Sequence, residues 1–326
     1  MRAIVITKPG GPEVLQLRPY ADPLPGPEDL LIEVRAAALN RADLIQRRGN
    51  YPAPPDAPPD IPGLEFSGVV AGVGAKAPGF APGDRVMGLL GGGGYAERLT
   101  LHHAMAVRIP DAMTIEEAAS IPEVFFTAYD ALFNWCRLEM GERALIHACG
   151  SGVGVAAIQL AKAKGAMAFG TASSEEKLAQ AVQLGLDVPI NYREQDFAAV
   201  VREKTGGRGV DVILDVIGAP YWEKNIASLA VKGRMVIVGT MGGARHEVNL
   251  GALLAKRLSV HGTSLRSRSN VEKMLITAQF RQHVLPLFAS GKLRPVVDKV
   301  FPLSEAAEAH RYMESNANFG KIVLKA

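Results

Sequence analysis

Arg143 to Gly165 reads R-A-L-I-H-A-C-G-S-G-V-G-V-A-A-I-Q-L-A-K-A-K-G and carries no charged residue from Ala144 to Ala161. An uncharged run of that length is within the range of a membrane span. His147, Ser151 and Gln159 interrupt it, however, and Gly150, Gly152 and Gly154 would break a spanning helix where it most needs continuity. A short strand (Ala144 to Ala148), a glycine turn and a helix (Val153 to Lys164) account for the pattern better. Small residues there let backbone N–H groups and a helix N-terminus approach a phosphate. The turn is not a strict G-x-G-x-x-G, because Val155 stands at the last position.

The next unit strengthens the reading. A second apolar strand, Ala166 to Thr171, ends about twenty residues past the turn, where a dinucleotide fold reads the ribose. An NAD site calls for Asp or Glu there, and this chain has Thr171-Ala172-Ser173-Ser174 with Lys177 one helical turn on. A hydroxyl and an ammonium suit a 2′-phosphate that a carboxylate would repel, so NADPH is expected over NADH. A competing use is local: Ser173-x-x-Glu176 is also a capping box, and Lys177 can be a solvated helix residue.

Further along, helix and strand alternate: helix Glu175 to Leu184, strand Val188 to Ile190, helix Asp196 to Lys204, strand Asp211 to Val216, a helix near Trp222 to Leu229, and strands Arg234 to Val238 and Leu258 to Gly262. That rhythm predicts a parallel sheet covered on both faces. Upstream, residues 1 to about 120 read as antiparallel β: Ala3 to Ile6, Leu30 to Ala38, Ser67 to Val73, Arg85 to Met87 and Tyr95 to Leu101 are separated by Gly and Pro turns. Tyr51 to Pro62 holds six prolines and should be a stiff surface loop, while Gly91 to Gly94 is a flexible turn. Thr114-x-x-Glu117 caps a short helix, and Pro122 opens a longer one through Phe133. After helices at Asn270 to Ala289 and Ser304 to Glu314, which flank Pro295 to Val300, a last strand, Lys321 to Leu324, leaves the alternating rhythm and should return to the first domain. The expected domains are therefore 1–120 completed by 266–326, and 121–265.

With 326 residues, 48% of them apolar and 21% charged, the chain has the composition of a globular protein with two cores. A net charge of +3 and the lack of a Lys/Arg-rich run with interleaved aromatics give no warrant for nucleic acid as a partner. Two cysteines, Cys136 and Cys149, cannot build a disulfide framework, and the apolar run near Met1 is too short for a signal peptide. The cytoplasm is the expected compartment, with no membrane association.

Residues just past the carboxyl ends of a doubly wound sheet are site candidates on topology alone. Here they are Ser151 and Gly152, Ser173, Tyr192, Ile217 with Gly218, and Gly239 to Gly243. Ser151 is no hydrolase nucleophile, because Cys149 and Val153 replace the glycines of G-x-S-x-G. Its hydroxyl suits a phosphate or nicotinamide contact, and Cys149 reads as a small buried filler.

Ala38-Leu39-Asn40-Arg41-Ala42-Asp43-Leu44, the stretch Ile146 to Gly154, Asn191-Tyr192, Tyr221 to Asn225, Leu265 to Arg268 and Gly320 to Leu324 together resemble the medium-chain dehydrogenase/reductase superfamily, and within it the zinc-free NADPH:quinone oxidoreductases. The resemblance runs from end to end. It implies a GroES-like β domain packed on a Rossmann domain with the active cleft between them, and a homodimer. It also implies cofactor contacts at Thr127, Ser151, Gly152, Val153, Ser173, Lys177, Tyr192, Ile217, Gly239, Met241, Leu265 and Asn318, and a quinone pocket at Asn40 and Tyr51. The superfamily's zinc enzymes place a Cys and a His on the metal. The matching positions here are Asn40 and Leu64, so no metal is expected.

Without a Lewis acid, the suitable acceptor is one already polarised, such as a quinone or an α,β-unsaturated carbonyl. Tyr51 could then hydrogen-bond a carbonyl oxygen and share in proton delivery, and Asn40 could orient it. Alternatively, Tyr51 anchors the proline loop and Asn40 caps the turn before Arg41. Two rival functions remain open: reduction of enals, enones or enoyl thioesters on the same scaffold, and a nucleotide-binding redox sensor or RNA-binding protein with vestigial activity.

Overall fold

The computed structural model describes all residues from Met1 to Ala326. They form two compact units, Met1–Phe126 with Leu265–Ala326, and Thr127–Ser264.

In the first unit, β1 (Arg2–Ile6) and β2 (Leu15–Pro19) pair antiparallel. β3 (Asp29–Ala38) leads into α1 (Arg41–Arg47). Then come β4 (Glu65–Val73), β5 (Arg85–Leu89), β6 (Arg98–His102), β7 (Ala106–Arg108), α2 (Ile115–Ala119) and α3 (Pro122–Tyr129), within which the chain passes from one unit to the other.

The sequence of β3 shows why it is central. Leu30, Ile32 and Val34 alternate, and their buried side chains pack with Phe66, Val70, Val86, Leu99 and Leu101. Beyond Arg35 the strand becomes three alanines because both faces are covered. Ala36 and Ala38 meet Ala119 and Val323, while Ala37 lies in the cluster of Ile4, Tyr95 and Ile322.

The second unit is a six-stranded, all-parallel sheet: β8 (Arg143–Ile146), β9 (Met167–Ala172), β10 (Val188–Asn191), β11 (Val210–Asp215), β12 (Leu229–Ile237) and β13 (Ser259–Gly262). Its spatial order is β10-β9-β8-β11-β12-β13, which is the doubly wound 3-2-1-4-5-6 order with its reversal between β8 and β11. The connecting helices are α4 (Gly152–Lys164), α5 (Glu175–Gln183), α6 (Phe197–Lys204), α7 (Trp222–Ser228) and α8 (Leu250–Lys256). Leu145, Phe169, Ile190, Ile213 and Met235, one from each of five adjacent strands, build its core with Phe197 and Val201.

The chain returns to the first unit through α9 (Asn270–His283), α10 (Leu285–Ala289), β14 (Val297–Pro302), α11 (Ala306–Glu314) and β15 (Lys321–Lys325). β15 inserts between β14 and β3, giving the order β14-β15-β3-β4-β5-β7, with β6 also on β3. The Rossmann-type sheet and the GroES-like antiparallel domain expected from the sequence are both present.

Some details differ. β2, β7 and α8 are additional elements, and the helix expected from Asn270 to Ala289 breaks at Val284, just before Pro286. The helix expected through Phe133 continues past Tyr129 as a π-helix, Asp130–Trp135, where Asp130 Oδ2 accepts from Trp135 Nε1 at 2.9 Å. No helix is long and apolar enough to cross a membrane.

Candidate functional site

The turn between β8 and α4 lies beside the switch point. Ser151 is the N-cap of α4, its Oγ accepting from Gly154 N at 3.1 Å, so the hydroxyl proton can still be donated. The left-handed residue of the turn is Ala148 (φ 50°) and not a glycine. Gly154 is required for a different reason: a methyl there would lie 2.4 Å from Ala148 O and 2.6 Å from Cys149 Cα, so its absence lets the helix start tight against the strand end. The first N–H groups of α4, at Gly152 and Val153, are what this helix start leaves for an anion. Cys149 beneath them is fully buried, and burial pushes its thiol up to about 12, an inert filler as the sequence indicated.

At the end of β9 the capping box expected at Ser173 does not form. Ser174 caps α5 instead, accepting from Lys177 N at 3.4 Å. The Ser173 hydroxyl is therefore not used by the helix. Lys177 is half-buried, and its charge acts on the Cys149 thiol. Of the carboxylates at this end, Glu175 accepts from Asn191 Nδ2 at 3.0 Å. Tyr192, 43% exposed, sits edge-on to Tyr221. Ile217 donates its N–H to Asp215 Oδ1 at 2.7 Å, and Met241 donates its own to Val216 O at 3.2 Å, bringing the loops after β11 and β12, with Gly239, to one end of the sheet.

A buried relay supports these loops. His147 is bonded through Nδ1 to Thr171 Oγ1 (3.0 Å) and through Nε2 to Asn225 Oδ1 (2.7 Å), and Asn225 Nδ2 donates to Asp215 Oδ2 (3.1 Å). Its ring also meets Phe197 and Tyr221 edge-on. Burial lowers the His147 pKa from 6.5 to about 4. The unfolded chain thus takes up a proton between those values that the folded one refuses, so the contribution of His147 is complete above pH 6.5 and drains away toward pH 4. Wild type is expected to lose about 3 kcal/mol more stability than His147→Gln over that interval, read by denaturation at each pH. Parallel pH profiles would contradict a neutral buried imidazole.

In the first unit Asn40 is the N-cap of α1, as the local reading had it, with Asp43 Oδ2 accepting from Asn40 N at 2.8 Å. Its side chain is committed to a buried network. Nδ2 donates to Glu65 Oε1 (2.9 Å) and Ala38 O (3.3 Å), while Oδ1 accepts from Lys321 Nζ (2.7 Å), which also pairs with Glu65 at 2.7 Å and donates to Leu39 O. Glu65 Oε2 in turn accepts from Glu123 N at 2.8 Å. Glu123 Oε2 is sealed without a partner, and burial followed by repulsion from Glu65 raises its pKa to about 8. Burial raises Asp43 to about 6 against the pull of the Asn40 and Gly63 N–H groups.

Tyr51 opens the proline loop, and Arg266 lies over its ring at 4.7 Å while Nη1 donates to Tyr51 O at 3.0 Å. No direct bond joins Tyr51 to Asn40. They are linked through α1, whose Gln46 Oε1 accepts from Arg266 Nη2 at 2.6 Å. Leu265 is buried, Thr127 is half-buried on α3, and Asn318 Nδ2 donates to Gly320 O at 2.9 Å. Sequence reasoning missed Glu65, Glu123 and Lys321 as a unit. Lys321 entered it only as part of a strand.

Residues 26–111 match the alcohol dehydrogenase GroES-like domain, and residues 184–324 the zinc-binding dehydrogenase family. The human quinone oxidoreductase is 33% identical over 99% of this chain and 97% of its own. Among solved structures, the Escherichia coli quinone oxidoreductase complexed with NADPH superposes with a TM-score of 0.90 at 32% identity, covering 100% of both chains. An NAD-dependent alcohol dehydrogenase does so with a TM-score of 0.89 at 36% identity, again over 100% of each. The chain belongs to the medium-chain dehydrogenase/reductase superfamily, among its quinone oxidoreductase-like members.

The name of one matching family raises the question of zinc. Asn40 and Leu64 stand at its ligand positions, Glu65 is bound to Lys321 and Asn40, and no three His, Cys, Asp or Glu side chains converge to hold a metal. These residues do not fit a zinc site.

Proposed function

We propose that the protein is a zinc-independent NADPH:quinone oxidoreductase. The observation that carries this reading is the end of β9, where Ser173 is released from capping and Lys177 stands in the first turn of α5, a pairing suited to a ribose 2′-phosphate. The E. coli relative, bound to NADPH, supports it.

The nicotinamide supplies a hydride; this chain's residues supply position and charge. The opening N–H groups of α4 and the Ser151 hydroxyl hold the pyrophosphate, Tyr192 and Ile217 line its path, and Tyr51 donates to a quinone carbonyl. Lys321 and Glu65 fix Asn40 so that it buttresses α1, from which Gln46 holds Arg266 against Tyr51. Homodimerisation and a cytoplasmic location belong to the same proposal, by likeness to the family.

The test follows NADPH consumption by the purified, metal-free protein with ortho- and para-quinones and with an unsaturated aldehyde. Turnover of quinones alone is expected. Turnover of the aldehyde alone would move the chain to the double-bond reductases, and NADPH binding without turnover would favour a sensor. Tyr51→Phe should lower kcat for quinones about tenfold or more with KM for NADPH unchanged. Full activity would remove the hydroxyl from the mechanism.

A further inference from the structure

Beside Tyr51 lies a basic feature that the scheme above leaves unused. Arg266, 4% exposed, gives its guanidinium to neutral acceptors: Gly91 O at 2.8 Å, Tyr51 O at 3.0 Å and Gln46 Oε1 at 2.6 Å. Lys273, in the first turn of α9, is only 1% exposed, and its ammonium has neither a hydrogen-bond nor an ion-pair partner. Its neighbour Glu272 feels the charge of Lys273 but spends its hydrogen bond on Ser269 N at 2.9 Å and forms no ion pair with the ammonium.

The position of Nζ is defined by Gly91. A methyl built on that glycine would meet Pro54 Cγ at 2.8 Å, Ala57 Cβ at 3.5 Å and Lys273 Nζ at 3.6 Å. The ammonium therefore ends where the proline loop meets the four-glycine turn, on the same residue whose carbonyl receives Arg266. A cation so little exposed is best compensated by an anion bonded to it, and the carboxylates whose charge reaches this pair, Glu272 for Lys273 and Asp43 and Glu123 for Arg266, make no bond to either. Two converging positive charges, neither bonded to a carboxylate, describe a place built for a negative group.

We propose that Lys273, in the field of Arg266, is the anion-binding element of the substrate pocket and that its ligand is an oxyanion of the substrate; this rests on the reading of Tyr51 as the residue facing the quinone. Two sources supply such an oxyanion. Hydride addition oxidises the nicotinamide and reduces the quinone by two electrons, leaving a negative charge on a ring oxygen that the ammonium neutralises until a solvent proton arrives. Alternatively, the substrate carries a permanent carboxylate or sulfonate.

Lys273→Met and Lys273→Arg separate these sources when assayed with neutral menadione and with a naphthoquinone sulfonate. For an oxyanion made in the reaction, Lys273→Met lowers kcat about tenfold or more with both quinones, and Lys273→Arg restores part of it. For a permanent anion, it raises KM about tenfold or more with the sulfonate only. In either case KM for NADPH is unchanged, and the Met variant melts at a higher temperature because an uncompensated charge has gone.

Calorimetry with naphthalene sulfonate, which cannot be reduced, judges the site apart from turnover: wild type and the Arg variant bind it and the Met variant does not. Unaltered kinetics with both quinones and equal sulfonate binding in wild type and Lys273→Met would overturn the proposal. A wild type that binds the sulfonate through Lys273 but reduces no quinone would leave the anion site standing and remove the reductase reading instead.

Discussion

Replacing Lys177 with alanine is expected to raise KM for NADPH about ten- to a hundredfold and to leave KM for NADH within about twofold. An ammonium bonded to a phosphate is a charge-assisted contact, and its loss is felt only by the coenzyme that carries the phosphate. The capping of α5 falls to Ser174, which uses the backbone N–H of Lys177 and not its amine. Initial rates with each coenzyme over a range of concentrations measure the effect. An unchanged NADPH-to-NADH ratio would mean that the phosphate is held elsewhere or not at all.

The second large effect concerns the first unit. Lys321→Met strips Glu65, which is fully buried, of its only cationic bond and leaves the carboxylate to two neutral N–H donors, Asn40 Nδ2 and Glu123 N. A cost of about 3–5 kcal/mol is expected, the usual result of breaking one side of a buried pair. Adding Glu65→Gln should recover more than half of it, because the stranded charge disappears. Urea unfolding of the single and double variants gives the comparison. A loss below about 1 kcal/mol for Lys321→Met would mean that water reaches Glu65. Asn40 is bonded to both partners and should lose its fixed orientation in the single variant, so quinone turnover should fall along with stability.

Much of this molecule could be read from residues alone because its signals are local. The uncharged strand, glycine turn and helix at Arg143 to Gly165, repeated by alternation downstream, sufficed for the doubly wound unit. The capping alternative weighed at Ser173 passes to Ser174 because the two offer the same hydroxyl, and only the backbone decides which of them faces the helix. α8 was missed because Leu250 and Leu254 point outward, so the segment lacks the buried stripe that marks a helix. β7 is three residues long and exists by pairing with β5, a partner that periodicity cannot show. The same holds for the site. Asn40, Glu65 and Lys321 lie far apart in sequence, and the isolation of Lys273 depends on Gly91 and Pro54, so their chemistry appears only when the sheet closes.

That closure has an order in time. The unit from Thr127 to Ser264 is continuous and can fold once its last residue has left the ribosome, whereas β3 lacks its neighbour β15 until Lys321–Lys325 emerges. At roughly 5–20 residues per second, the wait between the two strands is on the order of tens of seconds. Throughout it Glu65 has no Lys321, and the edge of β3 at Ala36–Ala38 offers unpaired backbone to any passing strand. The half of the protein synthesised first is therefore the half completed last, and a nascent chain stalled before Lys321 would carry a finished nucleotide-type unit beside an open, aggregation-prone sheet.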